Sequence, residues 1–289
     1  MPAAIDTSLQ RIDGEYYEVQ TPIPTNLEPE SSDNINFGLI WTPIEGMKVN
    51  LDYYALDMID PIGKIAVQSP LAVYNCADGS TYNPPASRPE GCQLVNVTTE
   101  AINGEGIETD GIDFQAMYDF DTSMGQAQVG INGVYLLSYD VGGCLVAGCD
   151  KYDAAGKYNT RAGASPIVLR SMPELKMNLM ASLMNGPHFM RAFVRYVSDY
   201  DVADSFAYSS LYASSPVTKS LGYDGKSIDD MITVDLHYTY AVSDELDLSL
   251  SIVNVADEDP PKAPHEQGYD AFSHSPMGRI TTAAFKYSF

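Results

Sequence analysis

The side chains able to do chemistry are few and grouped. Cys76 and Cys92 bracket one stretch, Cys144 and Cys149 another. Two local pairs of this kind suit two disulfides formed in an oxidising compartment; a zinc site is the rival, but no paired C-x-x-C occurs and neither stretch contains a histidine. Asp257, Glu258 and Asp259, with Glu266 and Asp270 nearby, supply the oxygen donors that a calcium loop needs, or else form a solvated loop stiffened by Pro260 and Pro261. His188, His237, His265 and His274 are scattered, and a metal site from His265 and His274 is the weaker alternative for that pair. Arg191 and Arg195 share parity, as do Asp235 and His237, so each pair lies on one face of its strand, where the charges either satisfy one another or line a passage. No serine occupies a Gly-x-Ser-x-Gly elbow and no H-E-x-x-H occurs. No catalytic, cofactor or resident metal site is therefore expected, and the chain is not read as an enzyme.

The elements that must position these residues follow from the rest of the 289 positions. Sixteen Lys and Arg stand against 39 Asp and Glu, a formal charge of −23, so there is no basic footprint for nucleic acid. With 45% hydrophobic residues the chain is too apolar for an acidic disordered tail. No run of 18 apolar residues makes a membrane-spanning helix, and no basic segment followed by an apolar one opens the chain as a signal peptide would. Twenty Tyr, 22 Gly and a single Trp favour β-structure.

Helical periodicity is absent, whereas period two recurs over residues 35–41, 47–55, 112–120, 127–137, 175–183, 190–196, 232–240, 246–252 and 283–289. In the second of these Met47, Val49, Leu51, Tyr53 and Ala55 oppose Lys48, Asn50 and Asp52. Most of these nine segments exceed the roughly five or six residues of an ordinary strand and approach the roughly nine to eleven that a tilted strand needs to cross a bilayer. Short connections (42–46, 121–123, 185–186, 242–245) alternate strictly with long ones (57–106, 140–172, 198–229, 255–277). A transmembrane barrel puts tight turns at its periplasmic end and long loops outside. Within the strand cores every charge, among them Lys48, Asp52, Asp113, Lys176, Arg191, Asp235 and Lys286, falls on the polar face, as lipid on the other face demands. Trp41, Tyr53, Tyr118, Phe120, Tyr139, Tyr196, Tyr238, Tyr240, Phe285, Tyr287 and Phe289 are placed near strand ends, like an interfacial girdle. The expected fold is all-β: an antiparallel transmembrane β-barrel, partial, with about nine long strands.

Two stretches carry a family resemblance. Asn26-Leu27-Glu28-Pro29-Glu30-Ser31-Ser32 leading into the first strand, and the final run Asn254-Val255-Ala256-Asp257 through Ser275-Pro276-Met277-Gly278-Arg279 to Tyr287-Ser288-Phe289, resemble the barrel of TonB-dependent outer-membrane receptors. The resemblance implies a C-terminal barrel portion over residues 1–289, without the plug domain and the earlier strands of the family's 22, from a truncated reading frame or an incomplete gene. It implies partners as well: outer-membrane lipid, the missing plug and N-terminal strands, the inner-membrane TonB complex reached through the plug, and an extracellular small-molecule ligand. The location implied is the outer membrane of a Gram-negative bacterium. The function implied for the full protein is active import of a scarce, bulky solute, such as siderophore-iron, cobalamin or an oligosaccharide. The alternative is a non-transporting, soluble β-rich surface or adhesin-like protein. Nine strands leave the first and last running in the same direction, so direct closure would need a parallel seam, while an open sheet would leave two bare edges. The long segments, with 1–32, hold 25 acidic and 10 basic residues, so most of the negative charge is expected outside.

Overall fold

A computed structural model describes residues 5–12, 15–22, 26–64, 72–76, 81–82, 92–98, 101–104, 106–141, 152–158, 171–202, 227–263 and 268–288. Nine strands form one sheet in chain order: β1 (Ser31–Trp41), β2 (Met47–Ile59), β3 (Ile107–Thr122), β4 (Gly125–Val141), β5 (Leu175–Asn185), β6 (His188–Val197), β7 (Met231–Ala241), β8 (Leu246–Val253) and β9 (Ile280–Tyr287). Every neighbouring pair is antiparallel, so the sheet is a meander with no crossover. Among the described residues there is no helix.

Because side chains alternate along a strand, register decides whether the apolar faces of neighbours coincide. They do, from one end of the sheet to the other. One row reads Trp41, Val49, Ala116, Ile131, Leu179, Val194 and Val234 across seven strands. On this face Phe37 is 69% exposed, Ile232 52% and Phe285 77%. The opposite face carries a polar row, Asn50, Gln115, Asn132, Asn178 and Arg195.

Among the described residues no second layer covers the apolar face. The buried hydrophobic residues, among them Ile107, Val141, Tyr158, Tyr200, Val202 and Ile228, lie at the long-loop end rather than between two sheets. A soluble sandwich would bury the apolar face of each strand against a partner sheet, so this arrangement contradicts that alternative.

The strands outrun their period-two cores at the long-loop end. β3 and β4 have 16 and 17 residues, and β2 continues to Ile59, so Tyr53 sits in mid-strand rather than at an end. Its hydroxyl donates to Asp110 over 3.1 Å, and Ser138 bonds the same carboxylate. Just beyond, Asp33, Asp57, Glu108 and Asp140 are successive cross-strand partners. Carboxylates placed side by side repel, and this row is tolerable only where water solvates it. On these four strands it therefore marks the outer limit of the apolar band, and the stretch from Ile112 to Phe120, whose apolar face carries no charge, matches the length required to cross a bilayer.

The segment before β1 and the long connections also contain strands that period-two patterning did not announce. Ile5–Ile12, Glu15–Pro22, Cys92–Thr98, Ala72–Cys76 and Thr81–Tyr82 make a five-stranded sheet in that order. Ser171–Met172, Lys157–Tyr158, Tyr200–Val202 and Ser227–Ile228 make a four-stranded one. The strands of the four-stranded sheet, two or three residues each, are too short to show alternation.

At the other end, the turns are tight. Ser123 and Met124 close the β3–β4 hairpin, and the Thr122 hydroxyl donates to the Gly125 carbonyl over 2.8 Å while accepting the Met124 N–H. Gly125 has φ +128°, and a Cβ there would sit 2.0 Å from the Met184 carbonyl oxygen. Gly186, first of the two central residues of the β5–β6 turn, has φ +53° with open space where a Cβ would go. Gly125→Ala is therefore expected to cost about 1–3 kcal/mol, since backbone must move as well as φ. Gly186→Ala, which adds conformational strain alone, should cost about 1 kcal/mol. The temperature at which the folded, faster-migrating gel band converts to the unfolded one measures both, and equal shifts would contradict the assigned close approach.

Candidate functional site

The polar face contains the sequence-selected charged pairs. β6 and β7 are neighbours in register Arg191↔His237 and Arg195↔Thr233, so the four residues share one patch. Arg195 reaches diagonally to Asp235, with its guanidinium nitrogen 2.5 Å from the carboxylate. The other carboxylate oxygen accepts the backbone N–H of Asn254 over 2.9 Å. Asp235, only 6% exposed, thus anchors the start of the last long loop to the wall. His237 contacts the Thr239 hydroxyl at 3.1 Å, and Thr239 contacts Ser249 at 3.0 Å. Arg191 lies over the Phe189 and Phe193 rings at 4.9 and 5.9 Å, and its buried Nε has no hydrogen-bond partner among the described residues. These phenylalanines, with Met117, Met180 and Met184, are apolar residues on the polar face that alternation alone assigned no role.

Around this patch the face is lined by amides. Asn50 donates to Gln115 and Asn178 to Asn132, each over 3.0 Å, and Gln128 donates to Asp119 over 2.7 Å. Near the tight turns, a hollow of about 780 Å³ is bordered by Glu45, Asp119, Asp121, Gln126, Gln128 and Arg191. Such a surface can hold water, a polar solute or another polar protein segment.

The C-terminal motif has a structural task. Asn254 and Asp257 adopt left-handed φ of 52° and 59°. The Asn254 amide closes a loop on Glu258 in both directions, at 2.8 and 2.9 Å. One Asp257 oxygen accepts the Arg279 N–H over 2.7 Å, the other lies 3.6 Å from its guanidinium, and Arg279 also donates to the Val255 carbonyl over 3.1 Å. Both Asp257 oxygens are thereby spent on clamping the loop to the entry of β9, rather than gathered with Glu258 and Asp259 around a cation. Glu266, His265, Cys144 and Cys149 lie outside the described residues.

At the long-loop end, residues far apart in sequence form a small core. Tyr158, Tyr200, Val202, Ile228 and Ala263 pack together. Against them lie Asp270, fully buried, and His274, 7% exposed. The Tyr200 hydroxyl donates to Asp270 over 2.6 Å, and its oxygen is 3.1 Å from His274 Nε2. A tyrosine has one hydroxyl proton, so His274 Nε2–H is the donor in the second contact. Asp270 also accepts the Phe272 N–H over 2.9 Å, Ser171 bonds Ser273, and Lys176 donates to Ser273 over 3.4 Å. His274 thus belongs to a hydrogen-bonded latch joining three long connections and the start of β5. Only composition hinted at it, because Asp270 and Tyr200 are 70 positions apart.

Burial holds the Tyr200 hydroxyl above the ordinary tyrosine range, reinforced by its bond to Asp270. Burial lowers His274, opposed by Asp270 and aided by Lys176. A depressed histidine favours the folded latch while neutral, so stability is lost as pH falls below the unfolded value of about 6.5; a raised tyrosine loses it as pH climbs above about 10. Amide exchange of 200–202 and 270–274 should accelerate outside that window, while β5 and β6 stay protected. His274→Gln should flatten the acid limb, and Tyr200→Phe should flatten the alkaline limb and speed exchange throughout, having left Asp270 short of a donor. Uniform acceleration across the sheet would contradict a local latch.

Comparison with known proteins fits this geometry. The family model described as "TonB dependent receptor-like, beta-barrel" matches residues 7–255. No curated protein matches by sequence. The fold resembles the siderophore receptor PirA from Acinetobacter baumannii, with TM-score 0.58 and 16% identity over 95% of this chain and 34% of that one. It also resembles a variant of the ferric enterobactin receptor PfeA from Pseudomonas aeruginosa in complex with enterobactin, with TM-score 0.60 and 17% identity over 94% and 33%. The FrpB iron transporter from Neisseria meningitidis gives 0.52 and 14% over 94% and 32%. The chain spans about one third of the length of these structures. With nine antiparallel strands, an unbroken apolar face and a family match over most of its residues, the chain belongs to the TonB-dependent receptor β-barrel family.

Proposed function

We propose that residues 1–289 are the C-terminal portion of the barrel of an outer-membrane receptor that imports a scarce, bulky solute. The family is one of transport receptors, and the observation that carries the reading for this chain is its apolar face. That face runs uncharged across nine strands and, on β1–β4, ends at the carboxylate row Asp33, Asp57, Glu108 and Asp140. Only a bilayer gives such a surface a favourable environment without a second protein layer. In this placement the tight turns face the periplasm, the long loops face outward, and the polar face with Arg191, Arg195, Asp235 and His237 lines the lumen. β1 and β9, each paired on one side only among the described residues, receive the remaining barrel strands. A plug inside the completed barrel and the TonB complex beneath it supply gating and energy. Among siderophore-iron, cobalamin and oligosaccharide, the first is favoured by neighbours named as siderophore and ferric enterobactin receptors.

The outward loops extend the reading to redox chemistry. Cys76 and Cys92 are direct cross-strand partners in the five-stranded loop sheet. Facing Cα atoms in an antiparallel pair are about 4.5 or 5.5 Å apart, within the range a disulfide spans. A Cys76–Cys92 bridge, closing a loop of about 15 residues, would stabilise it by about 3 kcal/mol. Non-reducing peptide mapping should recover the two peptides as one linked species; both thiols alkylated in oxidised protein would reject the bridge.

Placement in lipid is tested by charge. Val194→Arg puts a cation on the bilayer face six residues from the β5–β6 turn and should cost about 2–4 kcal/mol. Ser251→Lys, on the lumen face opposite His237, should be nearly neutral. Outer-membrane fractionation and the folded gel band report both; equal tolerance would reject the assignment of faces.

A further inference from the structure

The apolar face has a depression as well as a pattern. Ala127, Ala181 and Ala192 lie on adjacent strands β4, β5 and β6, with Ala181 directly opposite Ala192. Phe120, Met190 and Tyr238 rise around them, and together they enclose a trough of about 560 Å³. That volume is within the roughly 300–1,000 Å³ of small-molecule sites. The floor lies two to four residues above the tight turns, within the half of the apolar band nearest the turns. At that end, on the same face, is an element that makes polar contacts. His188 stacks on Tyr240 with ring centroids 5.0 Å apart, and its Nδ1 is 2.7 Å from the hydroxyl of Tyr238, which also walls the trough.

We propose that this trough and its histidine bind one glycerophospholipid of the periplasmic leaflet. An acyl chain fills the depression and the phosphate meets His188. The trough is continuous with the bilayer surface, so its occupant must be an apolar chain that arrives from lipid. Water gains nothing by filling a cavity of alanine, leucine and methionine side chains. His188 Nε2, the ring nitrogen that Tyr238 does not engage, has no protein partner among the described residues, and in the tautomer where the Tyr238 hydroxyl donates to Nδ1 it carries the proton. It presents a donor at the height where a membrane-embedded strand meets headgroups, flanked by the aromatic rings typical of that level.

The inference rests on the outer-membrane reading, and the test separates the two. The full chain, with its folded gel band verified, is extracted from outer membranes into a mild detergent, and phospholipid per chain is counted by native mass spectrometry. Phosphatidylethanolamine and a diacylglycerol with the same chains are then added back. Wild type is expected to hold one phosphatidylethanolamine through detergent exchange. Ala192→Phe and, separately, Ala127→Leu should lose it, whereas Ala116→Phe, on the same face outside the trough, should keep it. His188→Ala should lose the preference for phosphatidylethanolamine over diacylglycerol. Wild type without stoichiometric phospholipid, retention by both trough variants, or an unchanged preference in His188→Ala would overturn the proposal. Absence of the chain from the outer-membrane fraction would instead sink the reading beneath it.

Discussion

Hydrocarbon offers no hydrogen-bond partner, so every backbone N–H and C=O at membrane depth must be paired by another strand. That constraint organises the whole molecule. It forces consecutive strands to neighbour one another, and the meander from β1 to β9 does so without a crossover. It forces a common register, because a one-residue slip would turn an entire strand's polar face toward lipid. It also makes the two outer strands incomplete by themselves. All eleven residues of β1 are exposed, and β9 exposes Phe285 and Tyr287 on its apolar face.

The same solvent separates two kinds of stabilisation. Within the band, side chains gain little by packing against one another, and the rows of Val, Leu, Ile and Ala serve mainly to keep charge and water out. Polar residues are concentrated on the lumen face, where amides pair across strands and Arg195 forms an ion pair with Asp235. Asp235 links wall to loop, because one carboxylate oxygen takes the arginine and the other the Asn254 N–H. Above the band, where water returns, the chain builds an ordinary small core around Tyr158, Tyr200 and Ile228 and secures it with Asp270 and His274.

The C-terminal motif shows how a recognisable string of residues can be structural in purpose. Asn254 and Asp257 accept left-handed backbone, which short polar side chains tolerate better than branched ones. A Cβ at Gly278 would lie 2.7 Å from an Asp257 oxygen, and this absence of a side chain lets Arg279 approach Asp257 and Val255. The clamp determines where β9 begins and hence which residues of the last strand face lipid.

The strands themselves were legible in the sequence, because the two faces of a membrane strand meet different solvents and the resulting period-two signal is local. Trp41, Leu51, Ile131 and Leu250 could each be assigned to a face from their immediate neighbours, and the tight turns at Asn185-Gly186 and Asp121–Ser123 from turn chemistry, the second of which the ladder shifts to Ser123 and Met124. Contacts between distant segments were not legible. Nothing near Tyr200 in the chain announces Asp270 or His274, and Asp33, Asp57, Glu108 and Asp140 look like separate loop acids until register aligns them. The alanines at 127, 181 and 192 become a trough only when three strands lie side by side. Solvent polarity acts on each residue alone and leaves its mark in sequence order. Register and loop docking act between residues tens of positions apart, and the hydrogen-bond ladder of the folded sheet decides them.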